Sequence, residues 1–160
     1  MNPPIESPLS ERELSIVRET HISPEKLYAG WTTPRLMEVW FCPKPWYVKD
    51  VELDLRAGGG SRMTMCGPNG ETFPNEGVYL EVVPNQRIVF TDAYTAGWAP
   101  NPNKMFTGII TFDALPNGGT RYTAIARHWS KEACDQHAAM GFTEGWNKAF
   151  DQLVELCESS

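Results

Sequence analysis

The middle of the chain is a series of strand-like segments separated by turn sequences, and this series constrains the fold more than any other feature. Five segments rich in apolar residues are followed by a sixth at Thr120–His128. The sequences GPNG and PNGG separate two pairs of these segments, and Asn-Gly favours a tight hairpin. Hairpins join antiparallel neighbours, so the series predicts an antiparallel sheet. The first five segments are residues 47–55, 61–66, 72–83, 87–93 and 105–115.

Two short helices are predicted before this series. Residues 13–22 suit a first strand, because their side chains alternate between two faces, although neither face is purely apolar. Ser23 and Thr33 each precede a proline, which is typical of a helix N-cap followed by the first helical residue. Each signal predicts a short helix, and the second helix ends before the proline-containing sequence FCPKPW.

One long helix is predicted at the other end of the chain. Ser130 can cap a helix that continues to near Cys157 and carries its apolar residues on one face. This helix contains two glycines four residues apart, and each glycine costs roughly 1 kcal/mol relative to alanine. We expect Gly145 to lie where the helix passes closest to a strand or a bound molecule, so that leucine would clash there. The last turns should pack in the core around Phe150, whereas Trp146 should border a cavity.

The order of the elements indicates an α+β fold. One antiparallel sheet of about seven strands has a face to cover, and the long helix is the main element that can cover it. Residues 11–160 should form a single domain, since their number matches one ordinary domain. Residues 1–10, MNPPIESPLS, are rich in proline and serine and are predicted to be a flexible arm.

Charge and composition argue against several kinds of partner and location. The net charge of −6, the isoelectric point near 5.1 and the lack of a Lys/Arg cluster argue against a nucleic-acid partner. No apolar run approaches the roughly 18 residues that a membrane span requires. The four cysteines show no C-x-x-C spacing, and no signal peptide begins the sequence. We therefore expect reduced thiols in a cytoplasmic protein.

Five stretches of the sequence resemble a known superfamily over about residues 11–157. The sequence is similar to START-like, pollen-allergen-like (SRPBCC) proteins, and within them to the branch related to the activator of the heat-shock-protein-90 ATPase. The stretches that carry the resemblance are SPEKLYAGWTTPRLMEVWF, VELDLRAGGG, GPNGETFPNEGVYLEVVPNQRIVFTD, GGTRYTAIARHW and MGFTEGWNKAFDQL.

The resemblance implies a helix-grip fold, in which a curved antiparallel sheet of about seven strands wraps around a long C-terminal helix. It also implies a deep cavity between the sheet and this helix that binds lipids, sterols, polyketides or other apolar molecules. Some members of the superfamily are carriers, some are cyclases, hydratases or aromatases, and some are co-chaperones. The fold alone therefore does not assign a reaction.

Three residues are candidates for proton transfer. Asp92 follows Phe90 at two-residue spacing, so both should face the interior, where desolvation raises the pKa of a carboxyl group. Glu76 lies within a predicted strand. Arg127 and His128 end the last strand, and only one of the two should point inward. These groups can instead form structural salt bridges or loop caps, and that alternative stays open beside contact with a ligand.

Aromatic residues from helices, strands and a loop are candidates to line the cavity. The structural alternative is that they form an ordinary core. Trp98 lies among prolines and small residues in a loop and is a candidate lid or mouth residue. Together with Asp92 and Arg127, the candidate ligand-binding residues are Trp40, Phe41, Trp46, Tyr79, Phe90, Trp98, Phe106, Phe142 and Trp146.

No metal or cofactor is expected. Cys42, Cys66 and the three histidines have no zinc-like spacing, so the cysteines should be buried thiols and the histidines should face solvent. Cys42 lies at a helix end, which raises a thiol pKa, and it is a poor nucleophile candidate. The glycine-rich sequence AGGG is followed by a strand, so we interpret it as a hairpin turn and not as a phosphate-binding loop.

The sequence thus favours a cytoplasmic protein that holds an apolar or aromatic molecule between the sheet and the C-terminal helix. The alternatives are a cyclase- or hydratase-type enzyme acting on a polyketide-like or aromatic substrate, and a co-regulator of a chaperone ATPase. A homodimer is a further candidate assembly. A perturbed carboxyl group or histidine deep in the cavity would favour the enzyme, and a purely apolar lining would favour the carrier.

Overall fold

The computed structural model describes residues 8–159. Its helices are α1 (Pro24–Thr32), α2 (Pro34–Trp40), α3 (Lys131–Ala139) and α4 (Phe142–Glu158), and a single 3-10 turn forms at Leu9–Glu11. Most of the predicted N-terminal arm, residues 1–7, lies outside the described residues. The strands are β1 (Glu13–Thr20), β2 (Tyr47–Leu53), β3 (Gly60–Cys66), β4 (Thr72–Val83), β5 (Arg87–Thr91), β6 (Tyr94–Thr95), β7 (Ala99–Pro100), β8 (Phe106–Ala114) and β9 (Thr120–His128).

Seven of the strands form one sheet in the order β1-β9-β8-β5-β4-β3-β2, and every neighbouring pair is antiparallel. The predicted seven-stranded antiparallel sheet with a C-terminal helix is confirmed. The sequence connection from β1 to β2 crosses from one edge of the sheet to the other through α1 and α2. The long loop between β5 and β8 contains a separate two-stranded ribbon made by β6 and β7.

Strand β9 shows how the sequence selects the inner face of the sheet. Its residues alternate strictly in side-chain direction, and those on one face are all buried. Two of them are alanines that are fully buried, and the final one is a histidine that is 1% exposed. This face is therefore the one that the helices cover, and the buried residues are Thr120, Tyr122, Ala124, Ala126 and His128.

The two short helices begin where the sequence predicts. The Ser23 hydroxyl accepts a hydrogen bond from the Lys26 amide at 3.3 Å, whereas Thr33 makes no side-chain cap. Helix α1 passes very close to α4 at Gly30, because a Cβ atom there would collide with Cδ1 of Leu153. The glycine that permits a close approach to α4 thus belongs to α1.

The predicted single long helix is wrong, because the chain forms two helices. Helix α3 ends at Ala139, and Gly141 adopts a φ of +94°, in the left-handed region that favours glycine. The amide of Gly141 donates to the carbonyl of Ala138, and its own carbonyl accepts from Gly145 to begin α4. This glycine therefore sets the change of direction between α3 and α4.

The expected close approach of Gly145 to a strand is also wrong, whereas a close approach to a bound molecule stays a prediction. The nearest atom to a Cβ at this position would be Cγ of Pro43 at 3.8 Å, which is an ordinary van der Waals distance. Helix α4 has room for a side chain here and does not lie against a strand. The last turns of α4 do pack in the core, as predicted. Phe150 is 1% exposed and Leu153 is fully buried.

Candidate functional site

A pocket of about 420 Å³ lies between the inner face of the sheet and helix α4. Met63 from β3, Phe90 from β5 and Phe106 from β8 contribute to the sheet side of its lining. Trp146 and Ala149 of α4 form part of the opposite wall. The pocket is thus enclosed by elements that are far apart in the sequence.

An aromatic cluster forms one wall of the pocket. The ring of Trp31 lies 5.1 Å from Trp40, 5.7 Å from Phe41 and 5.8 Å from Phe90, measured between centroids. The indole N–H of Trp31 donates to the hydroxyl of Tyr122 at 3.1 Å, and that of Trp40 donates to the Gly30 carbonyl. Both indole donors are paired within the protein, so these rings offer the pocket mainly apolar surface.

Helix α4 also fixes the segment that follows α2. The side-chain amide of Gln152 donates to the carbonyl oxygens of Trp40, at 3.0 Å, and Cys42, at 2.7 Å. Its amide oxygen accepts from the backbone N–H of Lys44 at 3.0 Å. These contacts hold Trp40 and Phe41 against the pocket. Sequence reasoning did not single out Gln152, because its partners are about 110 residues away.

Four methionines add to the lining and were not predicted. Thioether side chains are flexible and adapt to ligands of different shape. The alternation of two of them on β3 was a signal that both face inward. The four residues are Met63, Met65, Met105 and Met140.

Asp92 lines the pocket at its more polar side. Both carboxylate oxygens lie 2.8 Å from the backbone N–H of Met105, and one of them accepts from Phe106 at 3.2 Å. Burial raises the pKa of Asp92, and the backbone hydrogen bonds and the nearby His128 partly oppose that rise. The direction agrees with the expectation for a desolvated carboxyl group. The same contacts anchor the end of the loop that precedes β8.

Two buried histidines lie next to this side of the pocket. Nε2 of His128 and Nδ1 of His137 are 2.8 Å apart, and Nδ1 of His128 lies 2.9 Å from the carbonyl oxygen of Arg12. His137 lines the pocket, whereas His128 lies behind it. Burial, together with the electrostatic influence of the adjacent His128, lowers the pKa of His137 to about 4. The expectation that these two histidines face solvent is wrong.

Several predicted lining residues lie elsewhere. Trp46 stacks on Phe73 with ring centroids 6.0 Å apart, outside the pocket lining. Trp98 is 53% exposed and lies in the loop between β6 and β7. Arg127 pairs with Glu13 on the outer face of the sheet, because it alternates with the inward-facing residues of β9. Arg127 is therefore corrected from a candidate binding residue to a structural ion pair.

The other predicted residues either lie in the core or line the pocket. Tyr79 and Phe142 are buried in the core and do not reach the pocket, and Phe142 instead packs behind Trp146 at 4.4 Å. Glu76 contributes to the lining but is exposed. The predicted residues that line the pocket are Trp40, Phe41, Phe90, Asp92, Phe106, Trp146 and Glu76.

Within residues 8–159, no three side chains of His, Cys, Asp or Glu are grouped so that they could hold a metal ion. In the same range, no helix has the length and apolar character needed to cross a bilayer. The described thiols of Cys42, Cys66, Cys134 and Cys157 are all buried and form no disulfide with one another.

Comparisons with known proteins place this geometry in a family. The model of the family described as Activator of Hsp90 ATPase homolog 1-like protein matches residues 21–158. A crystal structure of a protein from Nitrosomonas europaea is 37% identical, covers 94% of this chain and 96% of its own, and gives a TM-score of 0.90. A crystal structure of a protein from Mycobacterium smegmatis is 27% identical, with coverages of 96% and 95% and a TM-score of 0.76. No curated protein matches the sequence.

Proposed function

This chain belongs to the Activator of Hsp90 ATPase homolog 1-like family, and from its pocket we propose that it binds a small aromatic or apolar molecule between the sheet and α4. The observation that carries the proposal is the pocket itself. Its volume of about 420 Å³ falls within the range of roughly 300–1,000 Å³ that is typical of small-molecule sites.

The chemistry of the lining supports an aromatic ligand. Trp31, Trp40 and Phe41 present ring surface whose polar atoms are already paired, and methionines lie opposite on β3. Ring faces and thioethers both interact favourably with aromatic molecules. The polar residues that line the pocket include Asp92 and His137, which would fix the orientation of a ligand.

Titration with the neutral fluorescent probe N-phenyl-1-naphthylamine tests this proposal. The wild type should bind one probe per chain in a saturable manner. Gly145→Leu should weaken binding at least about tenfold, because residue 145 lines the pocket and a Cβ there would meet only Cγ of Pro43, at an ordinary van der Waals distance, so the larger side chain can occupy the pocket. Thr143→Leu is the matched control, since Thr143 is exposed on the same helix and outside the lining. Absent saturation, or equal affinity for the Gly145→Leu variant, would refute binding in this pocket.

A second candidate function, proton-transfer catalysis, is favoured by one observation. Asp92, whose pKa is raised, and His137, whose pKa is lowered to about 4, line the same pocket. Such a pair of environments is typical of acid–base sites. His137 replaces the predicted His128 in this proposal, because His128 does not line the pocket. Glu76 is the weaker carboxyl candidate, since it is exposed.

Exchange of the acidic α-hydrogens of 2-tetralone in D₂O provides a direct assay for this second function. The ketone is aromatic, and NMR follows the loss of its α-proton signal. Catalysed exchange should fall sharply in Asp92→Asn, with Arg127→Gln as a control on the outer face. Exchange that is no faster with the protein than in buffer alone would refute the proposed proton-transfer catalysis.

The remaining expectations stay predictions. The four buried thiols, which form no disulfide with one another, support a reducing compartment such as the cytoplasm. A homodimer and an interaction with a chaperone ATPase are the other candidates, and size-exclusion chromatography with and without such an ATPase tests both.

A further inference from the structure

The hydrogen bonds of the two buried histidines determine which ring nitrogens carry protons. A carbonyl oxygen can only accept, so Nδ1 of His128 must donate its proton to the carbonyl of Arg12. In a neutral His128 ring, Nε2 is then an acceptor. His137 must therefore donate from Nδ1 to complete the 2.8 Å contact between the rings.

This assignment leaves one lone pair on the side of His137 that is not bonded to His128. In neutral His137, Nε2 carries no proton once Nδ1 does, and it has no hydrogen-bond partner among residues 8–159. The lowered pKa of His137 keeps the ring neutral near pH 7. His137 lines the pocket, and its Nε2 is not among the buried atoms that lack a partner, so it is accessible. A ligand that fills the pocket without supplying a donor would bury this acceptor unpaired, at a cost of roughly 1–3 kcal/mol, so a ligand with a donor is favoured.

The surroundings of His137 are otherwise apolar rings. The centroid of its ring lies 5.2 Å from Phe106, 5.2 Å from Phe142 and 6.4 Å from Trp146. Asp92, whose carboxylate accepts a hydrogen bond from the backbone N–H of Phe106, is half-buried and lines the same pocket. It is also an acceptor when ionised. An aromatic ring that carries a hydroxyl or amino group thus matches this side of the pocket.

We propose that Nε2 of His137 accepts a hydrogen bond from the ligand, and that the ligand class is aromatic molecules bearing an O–H or N–H donor, such as phenols. The inference rests on the proposed binding function and specifies its ligand chemistry. His128 and the Arg12 carbonyl act through His137, because they fix the tautomer that exposes the acceptor.

Three probes of similar shape test this inference on the whole protein. 2-Naphthol carries the donor, 2-methoxynaphthalene carries the oxygen without the donor, and naphthalene carries neither. The wild type should bind 2-naphthol roughly tenfold or more tighter than either of the others. In His137→Asn the side-chain amide N–H can still donate to His128, but the acceptor at the Nε2 position is lost. This variant should bind all three probes with similar affinity.

A measurement on the wild type covers the case in which the variant does not fold. In ¹⁵N NMR spectra, Nε2 of His137 should have the shift of an unprotonated imidazole nitrogen, and 2-naphthol but not naphthalene should move it. Equal binding of the three probes, an unchanged preference in His137→Asn, or a protonated Nε2 would overturn the inference while the binding function stands. Failure of all three probes to bind would overturn both.

Discussion

Phe150 and Trp146 lie one turn apart on α4 and should respond differently to truncation to alanine. Phe150 is 1% exposed, its ring centroid lies 4.4 Å from that of Tyr122, and the guanidinium of Arg18 lies 5.0 Å from its ring. Trp146 is only partly buried and lines the pocket. Phe150 is therefore a packed core residue, whereas Trp146 borders an existing pocket.

The expected losses in the free energy of unfolding follow from these environments. Phe150→Ala removes a ring from a packed site and leaves a cavity, so it should cost roughly 3–5 kcal/mol. Trp146→Ala enlarges an existing pocket and should cost about 1–2 kcal/mol of lost apolar burial. The same substitution should weaken binding of N-phenyl-1-naphthylamine, because it removes an aromatic surface from the lining.

Urea unfolding followed by far-UV circular dichroism measures both variants without depending on tryptophan fluorescence. The probe titration is performed on the same samples. Equal destabilisation by the two substitutions, combined with unchanged probe affinity in Trp146→Ala, would show that α4 covers a solid core. That result would refute the interpretation of this helix as a cavity wall.

Three further predictions concern single groups. Between pH 7 and 4.5, urea unfolding should show that the wild type loses roughly 2–3 kcal/mol of stability relative to His137→Asn. In this range His137 binds a proton in the unfolded chain, where its pKa is about 6.5, but remains neutral in the folded chain, where its pKa is about 4. Gly145→Ala should raise stability by about 0.5–1 kcal/mol, since the site has room for a methyl group; a lower unfolding midpoint would contradict this. Asp92→Asn should cost roughly 1–3 kcal/mol through its bonds to Met105 and Phe106, and faster amide exchange at both should accompany the loss.

The sheet could be predicted from the sequence because its determinants are local. Asn-Gly turns and alternating side chains set the hairpins and the inward face, and the observed strands begin and end within about two residues of the predicted ones. The caps of α1 and α2 are equally local, since Ser23 bonds to a residue three positions away. The C-terminal break was missed because an apolar face continues past Gly141, and helical periodicity does not report a positive φ.

The site was predicted less completely, because its contacts join distant parts of the chain. Asp92 could be placed by alternation along its strand. His137 could not, because its burial results from the packing of α3 against β9 and from a partner, His128, on another element. The close approach was predicted at Gly145 but is found at Gly30, for a similar reason. Only the packing of α1 on α4 shows which glycine lies at the close contact.

The most direct test of the account observes the pocket while a ligand enters it. Methyl-¹³C labelling of methionine places probes at four lining positions and at Met37, which lies outside the lining in a buried cluster against which Met63 and Met65 pack. Addition of 2-naphthol should shift the methyl signals of the lining residues and shift that of Met37 far less. Unchanged signals at saturating ligand, or shifts confined to Met37, would contradict the claim that this pocket binds aromatic molecules. The four lining residues are Met63, Met65, Met105 and Met140.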